Sequence, residues 1–142
     1  MEITNIKIEP CILEKDDPTW RFALGASPVS EGLIVSIETD KSLTGFGYAS
    51  ATAHMGASLE GLTGTLERLV PHINKHDPLS MTAIRRDMDR ALLGNNQAKA
   101  AIDCALFDLA AKFMKVPLHC LFGGAVRTQF PVLRILAIKT PQ

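Results

Sequence analysis

A helical pattern rich in alanine, which runs from Asn96 to Lys112, constrains the fold of this chain more than any other segment. Its apolar residues recur every three or four positions, as they do on one face of an α-helix. Small side chains on such a face allow the backbones of neighbouring elements to approach closely. We therefore predict a tightly packed helix that buries Ala98, Ala101, Ile102, Ala105, Leu106, Leu109 and Phe113.

The first third of the chain has the alternating pattern of β-strands. Apolar and polar residues alternate within 3–13 and 32–39, and a third strand is predicted to begin at Gly45. Pro10 is typical of an edge strand, because proline has no backbone N–H to donate to a neighbour. The short polar turn at 40–42 favours antiparallel pairing of the strands on either side of it. These features predict a three-stranded antiparallel meander.

After the strands, the apolar period changes to that of helices. An apolar stripe within 59–73 predicts a first helix, which Pro78 is expected to end. A second helix is predicted to begin after Ser80 and to end at Gly94. A short helical turn from Pro117 to Gly124 follows the alanine-rich helix. We therefore predict an α+β fold in which the meander is followed by a bundle of three to four helices.

The balance of charge argues against two classes of partner. The chain has 15 basic and 15 acidic residues and a formal net charge of +0, so it offers no excess of cations to nucleic acid or to an anionic membrane surface. No apolar run approaches the roughly 20 residues of a membrane span, and the N-terminus lacks the features of a signal peptide. The widely spaced Cys11, Cys104 and Cys120 are expected to be reduced, partly buried thiols of a cytoplasmic protein.

Two long connections and the C-terminal tail need a separate explanation. The connections 16–30 and 50–57 are longer than turns require, and long connections in compact domains are often binding loops or lids. Residues 132–138 are almost wholly apolar, which is typical of a strand covered on both faces. The sequence offers no parallel partner for this strand, so we expect its sheet to lie outside the chain.

Two pairs of polar residues have the spacing of functional sites but favour structural roles. His72 and His76 are separated like metal ligands on a helix, yet no third ligand is fixed near them. Asp103 and Asp108 are five positions apart and therefore point in different directions from a helix. We expect Asp103 to bond to the backbone or to an arginine, and Asp108 to lie at the helix surface.

Several motifs resemble those of a known family. The most specific are Ala-Ala-Ile-Asp-Cys-Ala-Leu-Phe-Asp-Leu at 100–109, Pro-Leu followed by Leu-Phe-Gly-Gly within 117–124, and Thr-Gly-Phe-Gly at 44–47. Together they resemble the N-terminal capping domain of the mandelate racemase/muconate lactonizing group in the enolase superfamily. The tail is similar to the first barrel strand of that group. The resemblance implies a capping domain over 1–128 and, in 129–142, the first strand of a (β/α) barrel that is absent from this chain.

The resemblance implies enolate chemistry in a complete protein. A lysine or histidine would remove the α-proton of a small carboxylate substrate, and Mg²⁺ would stabilise the resulting enolate. In the family the base and the metal ligands lie on the barrel strands, and such a barrel needs about 200–250 residues. We therefore expect no catalytic residue, metal ligand or cofactor in this chain. Alone, it would be inactive as a racemase, cycloisomerase or dehydratase.

The resemblance also implies that the loops 16–30 and 50–57 act as lids over the barrel mouth. The candidates for substrate contact in these loops are Trp20, Phe22, Leu24, His54 and Met55. Alternatively, the aromatic side chains could anchor a long loop on the core. The implied partners are a barrel domain of the same or a companion chain, a small carboxylate held by that barrel, and further copies in a homo-oligomer. A competing hypothesis is a stand-alone oligomerising or binding module derived from this domain.

Overall fold

In the computed structural model, which describes residues 1–133 and 135, an antiparallel sheet packs against three helices. The elements are β1 (Ile3–Glu14), β2 (Arg21–Phe22), β3 (Gly25–Ala26), β4 (Val29–Thr39), β5 (Thr44–Ser50), α1 (Leu59–Ile73), α2 (Met81–Ala91), α3 (Asn96–Met114) and the 3₁₀ helices Ala53–Met55 and Leu118–Phe122. The main sheet has the order β1-β4-β5 and is antiparallel throughout, while β2 and β3 form a separate hairpin. The predicted meander and helices are thus confirmed. Among the described residues, no helix is long and apolar enough to cross a membrane.

The core lies between the sheet and the helices. Leu33, Val35 and Ile37 of β4 are buried, because alternate side chains of a strand point to the same face. On the adjacent strand β5, the backbone of Gly47 touches α3 directly: a Cβ atom on this glycine would lie 1.8 Å from the carbonyl oxygen of Ala101. The close backbone approach predicted from the alanine pattern is therefore confirmed.

One residue of the predicted buried face is exposed. The helix α3 buries Ala98, Ala101, Ile102, Ala105, Leu106 and Leu109 as predicted. The prediction for Phe113 is wrong, since its side chain is 45% exposed. Lys112 Nζ donates to the carbonyl oxygen of Thr44, the first residue of β5, at 2.7 Å. The sheet therefore ends beside Lys112, and within the described part of the chain no strand covers the last residues of α3.

The first two helices end earlier than the sequence indicates. At the start of α1, the side chain of Ser58 accepts a hydrogen bond from the N–H of Gly61 at 3.1 Å, which is the usual capping interaction. The helix ends at Ile73, so Pro78 does not end it. Likewise α2 ends before Gly94, whose φ of +69° lies in the following loop. Helical hydrogen bonding therefore stops before Pro78 and before Gly94 are reached.

Two aspartates attach α3 to its neighbours, as their predicted structural roles require. The carboxylate of Asp103 accepts a hydrogen bond from Arg85 Nε of α2 at 2.9 Å. Asp108 accepts the backbone N–H of Phe46 at 2.9 Å and the ammonium of Lys112 at 2.7 Å. Because β5 is an edge strand, this carboxylate satisfies a donor that the sheet itself leaves unpaired.

His72 and His76 do not lie on one helix, and two cysteines are more exposed than predicted. The helix α1 ends before His76, so His72 and His76 do not share it. The ring nitrogen Nε2 of His76 instead lies 3.0 Å from the carboxylate of Asp87.

All three cysteines are free, but Cys104 and Cys120 are exposed, which corrects the expectation that they are partly buried. Cys104 belongs to the solvent-facing side of α3.

The C-terminal tail, where a strand is predicted, is described only in part. Residues 125–133 show no regular secondary structure. Positions 134 and 136–142 lie outside the described residues. The strand in 129–142, and with it the domain boundary at 128, therefore stays a prediction.

The pair of His76 and Asp87 predicts acid-sensitive stability. Hydrogen bonds from Lys75 and His76 lower the pKa of Asp87 from 3.8 to about 2. A carboxyl group whose pKa is lower in the folded state stabilises the fold above its unfolded pKa, and this contribution is lost as the pH falls from about 5 to about 2. We expect Asp87→Asn to reduce the free energy of unfolding at pH 6 and to have a much smaller effect at pH 2.5. Urea unfolding at both pH values measures this, and an equal deficit at both would contradict it.

Candidate functional site

The first long connection contains a hairpin of its own. The pairing of β1 with β4 extends to Glu14 opposite Val29, and the N–H of Lys15 donates to the carbonyl of Pro28 at 3.0 Å. The connection is therefore shorter than the predicted 16–30, since its last two residues belong to β4. Between these ends β2 pairs with β3. This inner hairpin brings the aromatic residues of the loop to one side.

The second connection begins beside the first because the ends of β1 and β5 both pair with the start of β4. The N–H of Ala51 donates to the carbonyl oxygen of Glu31 at 2.8 Å. The hydroxyl oxygens of Ser50 and Thr52 lie 2.7 Å apart. The 3₁₀ helix that follows ends at Met55, and the next residue, Gly56, has a φ of +79°, which suits a residue without a side chain. One strand thus positions the start of both loops.

Three aromatic rings join the two loops. The ring centroids of Trp20 and Phe22 are 5.4 Å apart. The ring of Phe22 also meets the ring of His54 edge-on at 5.7 Å. Such pairs contribute about 0.5–1.5 kcal/mol beyond the burial of their area. The predicted loops therefore make contact through residues that the sequence analysis selected.

A lysine lies at the base of this aromatic group. The Nζ atom of half-buried Lys15 is 4.2 Å from the ring centroid of Trp20, within the range of a cation–π interaction. The same ammonium donates to the hydroxyl of Ser27 at 2.8 Å. Ser27 is itself tied to the loop, since its N–H donates to the carbonyl of Trp20 at 3.0 Å. The lysine is therefore held by two separate contacts.

The two loops line an open cavity of about 750 Å³. Its lining includes Lys15, Trp20, Phe22, Leu24, Ser27, Glu31, Ser50, Thr52 and His54. Aromatic walls with a few polar groups are typical of sites for small molecules. Four of the five candidates for substrate contact thus lie together. Met55 does not line the cavity, and its side chain is 68% exposed.

Apart from His54, sequence reasoning selected none of the charged or hydroxyl-bearing residues of this cavity. Lys15, Ser27 and Glu31, for example, belong to no motif, and their only signal is a position within or directly beside the predicted loop 16–30. The carboxylate of Glu31 is exposed. Together with His54 these residues can donate to or accept from a polar ligand group.

The Mg²⁺ implied by the resemblance finds no ligand set in the described part of the chain. Within residues 1–133 and 135, no three or more His, Cys, Asp or Glu side chains come together in a way that could hold a metal ion. The cavity itself offers only one carboxylate, that of Glu31. The aromatic and polar groups that line this cavity can bind a small ligand and shield it from water.

Known proteins match the chain over nearly all of its length. The family described as "Mandelate racemase / muconate lactonizing enzyme, N-terminal domain" matches residues 8–123. The chain is 33% identical over its full length to N-succinyl-L-Arg/Lys racemase of Bacillus cereus and covers 39% of that protein. It is 35% identical over its full length to cis-3-hydroxy-L-proline dehydratase of Roseibium aggregatum and covers 40% of it.

Solved structures agree with these sequence matches. The crystal structure of N-succinyl Arg/Lys racemase from Bacillus cereus has a TM-score of 0.91 and 33% identity, over 98% of this chain and 38% of that one. Dipeptide epimerase from Enterococcus faecalis, in complex with Mg and the dipeptide L-Leu-L-Tyr, has a TM-score of 0.79 and 30% identity, over 85% of this chain and 34% of that one.

The extent of the matches shows which part of these longer proteins the chain matches. It spans only 39% and 40% of the two curated relatives named above. The matched family is defined as an N-terminal domain, and the sheet and helices observed here are the part that superposes. The chain belongs to the family of mandelate racemase/muconate lactonizing enzyme N-terminal domains.

Proposed function

We propose that this chain is the capping domain of an enzyme that removes the α-proton of a small carboxylate substrate, as a racemase, cycloisomerase or dehydratase. The observation that carries the proposal is the cavity where the two predicted lid loops meet. In this role Trp20, Phe22, Leu24 and His54 contact the part of the substrate that faces away from the chemistry. They also exclude water from it, which strengthens electrostatic interactions in the site.

The similar proteins support this class of reaction without selecting one member. Their names include a racemase, a dehydratase, a dipeptide epimerase and a muconate cycloisomerase. Several of the similar solved structures are complexes with Mg, among them the dipeptide epimerase of Enterococcus faecalis. We assign the base and the Mg²⁺ to a barrel domain of the same or a companion chain, because this chain matches an N-terminal domain and covers only 39% and 40% of two of its relatives. The domain is assigned to residues 1–128, with 129–142 as the first barrel strand.

The surface near the C-terminal end supports a covering partner. The exposed apolar side chains there include Phe122, Val126, Phe130, Val132 and Leu133. Contiguous exposed apolar residues mark interaction sites in proteins. A barrel domain is the partner we assign to this surface, in an enzyme that forms homo-oligomers in the cytoplasm. If the chain functions by itself, a second copy would cover the same surface, as in a stand-alone oligomerising module.

The proposed function predicts a difference between this chain and a protein that includes the barrel. We expect the complete protein, with Mg²⁺, to exchange the α-proton of its substrate for deuterium in D₂O. N-succinyl amino acids, dipeptides and hydroxyprolines form the first panel, and NMR or mass spectrometry detects the exchange. The 142-residue chain serves as the control and should show none. Exchange by the chain alone, or a complete protein without metal-dependent exchange on any such acid, would contradict the proposal.

A further inference from the structure

We propose that Lys15 binds an anionic group at the end of the substrate remote from the reacting carbon. The substrate would then be an acid with a second negative group, such as a carboxylate on its side chain or acyl substituent. This inference rests on the proposed function of the cavity as the roof over a substrate. It adds that the cavity prefers a substrate with a negative charge in the part that lies near Lys15.

The backbone of Lys15 is fixed at the mouth of the loop. Its N–H donates to the carbonyl oxygen of Pro28 at 3.0 Å, one step beyond the last pair of the β1–β4 ladder. The side chain therefore starts from a rigid strand end rather than from the middle of a loop. A charged group on a rigid element is positioned more accurately than one on a loop.

The contacts of the Lys15 ammonium orient it but do not use all of its N–H donors. Ser27 Oγ donates its proton to the carbonyl of Val29 at 3.3 Å, so the same oxygen is left to accept from Lys15 at 2.8 Å. The ring of Trp20, 4.2 Å away, covers one side of the cation. An ammonium has three N–H donors, and this hydroxyl takes one of them. A carboxylate in the cavity can accept another.

The surroundings of the cavity favour an anion over a neutral or cationic group at this place. The ring of Trp20, 4.2 Å away, takes the place of water on one side of the half-buried ammonium, and a lower local dielectric strengthens its attraction for an anion. A cationic group would meet the like charge of Lys15, and its remaining partner would be the exposed carboxylate of Glu31.

The competing structural role of Lys15 is to hold the loop through the ring of Trp20.

The chain carries its own reporter for this test, because Trp20 is its single tryptophan. Tryptophan fluorescence is titrated with three probes of similar size that share a four-carbon chain: butyrate, butyramide and butylammonium, at constant ionic strength to keep screening equal. We expect a saturable change with butyrate and an affinity about tenfold higher than for butyramide, as charge-assisted hydrogen bonds are the stronger ones.

Variants separate binding from a structural role. Lys15→Met should remove the preference for butyrate, while Lys15→Arg should keep it, because arginine retains the charge. Lys41→Met removes another lysine, which is 58% exposed on the turn after β4, and should behave like the unchanged chain. Circular dichroism of each variant establishes that it is folded.

Several results would overturn the inference. These are equal binding of butyrate and butyramide, no saturable response to any probe, strongest binding of butylammonium, or a butyrate preference that survives in folded Lys15→Met. If Lys15→Met does not fold, the loss of the butyrate preference in Lys15→Arg would also overturn it. Because the titration needs no barrel, it can fail while the complete protein still exchanges α-protons, and the two proposals are therefore tested separately.

Discussion

Gly47→Ala is expected to destabilise the domain by about 3 kcal/mol, near the upper end of the usual cost of overpacking a core. The added Cβ would lie 1.8 Å from the carbonyl oxygen of Ala101 and 3.0 Å from the backbone nitrogen of Ala105. Both atoms belong to the backbone of α3, so no side-chain rotation can relieve the clash. Either β5 or the whole helix must move, and the packing of the sheet against α3 is lost in part.

The matched control is the same substitution at a glycine with open space. Gly64 lies within α1, and a Cβ atom added to it would meet no neighbouring atom within 4 Å. Alanine is favoured over glycine inside a helix by about 1 kcal/mol, so Gly64→Ala should stabilise the domain. Urea unfolding followed by circular dichroism measures both variants. A Gly47→Ala variant as stable as the unchanged chain would show that α3 and β5 are farther apart than described.

Leu106→Ala is expected to cost about 3 kcal/mol of unfolding free energy, within the range for buried leucines. Leu106 is 0% exposed and belongs to the single core cluster formed by the sheet and the helices. Truncation removes apolar contact and leaves a cavity, because the surrounding helices and sheet can only partly collapse into it. The loss should appear as a lower urea midpoint with an unchanged slope, since the folded surface stays nearly the same.

An exposed leucine provides the control for this truncation. Leu93 is 92% exposed, and surface substitutions of this kind change stability by no more than about 0.5 kcal/mol. Leu93→Ala should therefore unfold at almost the same urea concentration as the unchanged chain. If both leucine variants lose the same stability, the assignment of α3 to the core is wrong.

Local patterns in the sequence predicted most of the fold. Alternation identified β4, whose Leu33 and Ile37 are buried, and the alanine spacing identified α3 as the closely packed helix. These patterns arise from the fixed periods of strand and helix, which each segment carries by itself. Several of the errors lie at ends of elements, whereas Cys104 is exposed within α3 and Cys120 within a 3₁₀ helix. Phe113 is exposed because the sheet stops beside it, and that stop depends on how far β5 extends.

The site was predicted less completely than the fold. Loop length and the family resemblance indicated the two lids, and Trp20, Phe22, Leu24 and His54 do line one cavity. Whether they contact a substrate stays a prediction. Met55 lies one residue beyond His54 but points away from the cavity lining, because a 3₁₀ helix turns successive side chains in different directions.

By itself, the sequence determined the three-stranded meander, the three helices that follow it and most of their buried faces, because residue periods are local, and its motifs indicated the family. Only the tertiary structure decided that two loops far apart in the chain share a cavity, and that Lys15 lies against Trp20 within it. The physical reason is that the start of β4 pairs with the end of β1 on one side and with the end of β5 on the other, so both loops leave the sheet at the same edge. The hydrogen bond from the N–H of Ala51 to the carbonyl oxygen of Glu31 lies where they meet. Such contacts between distant segments follow from packing and leave no periodic trace in the sequence.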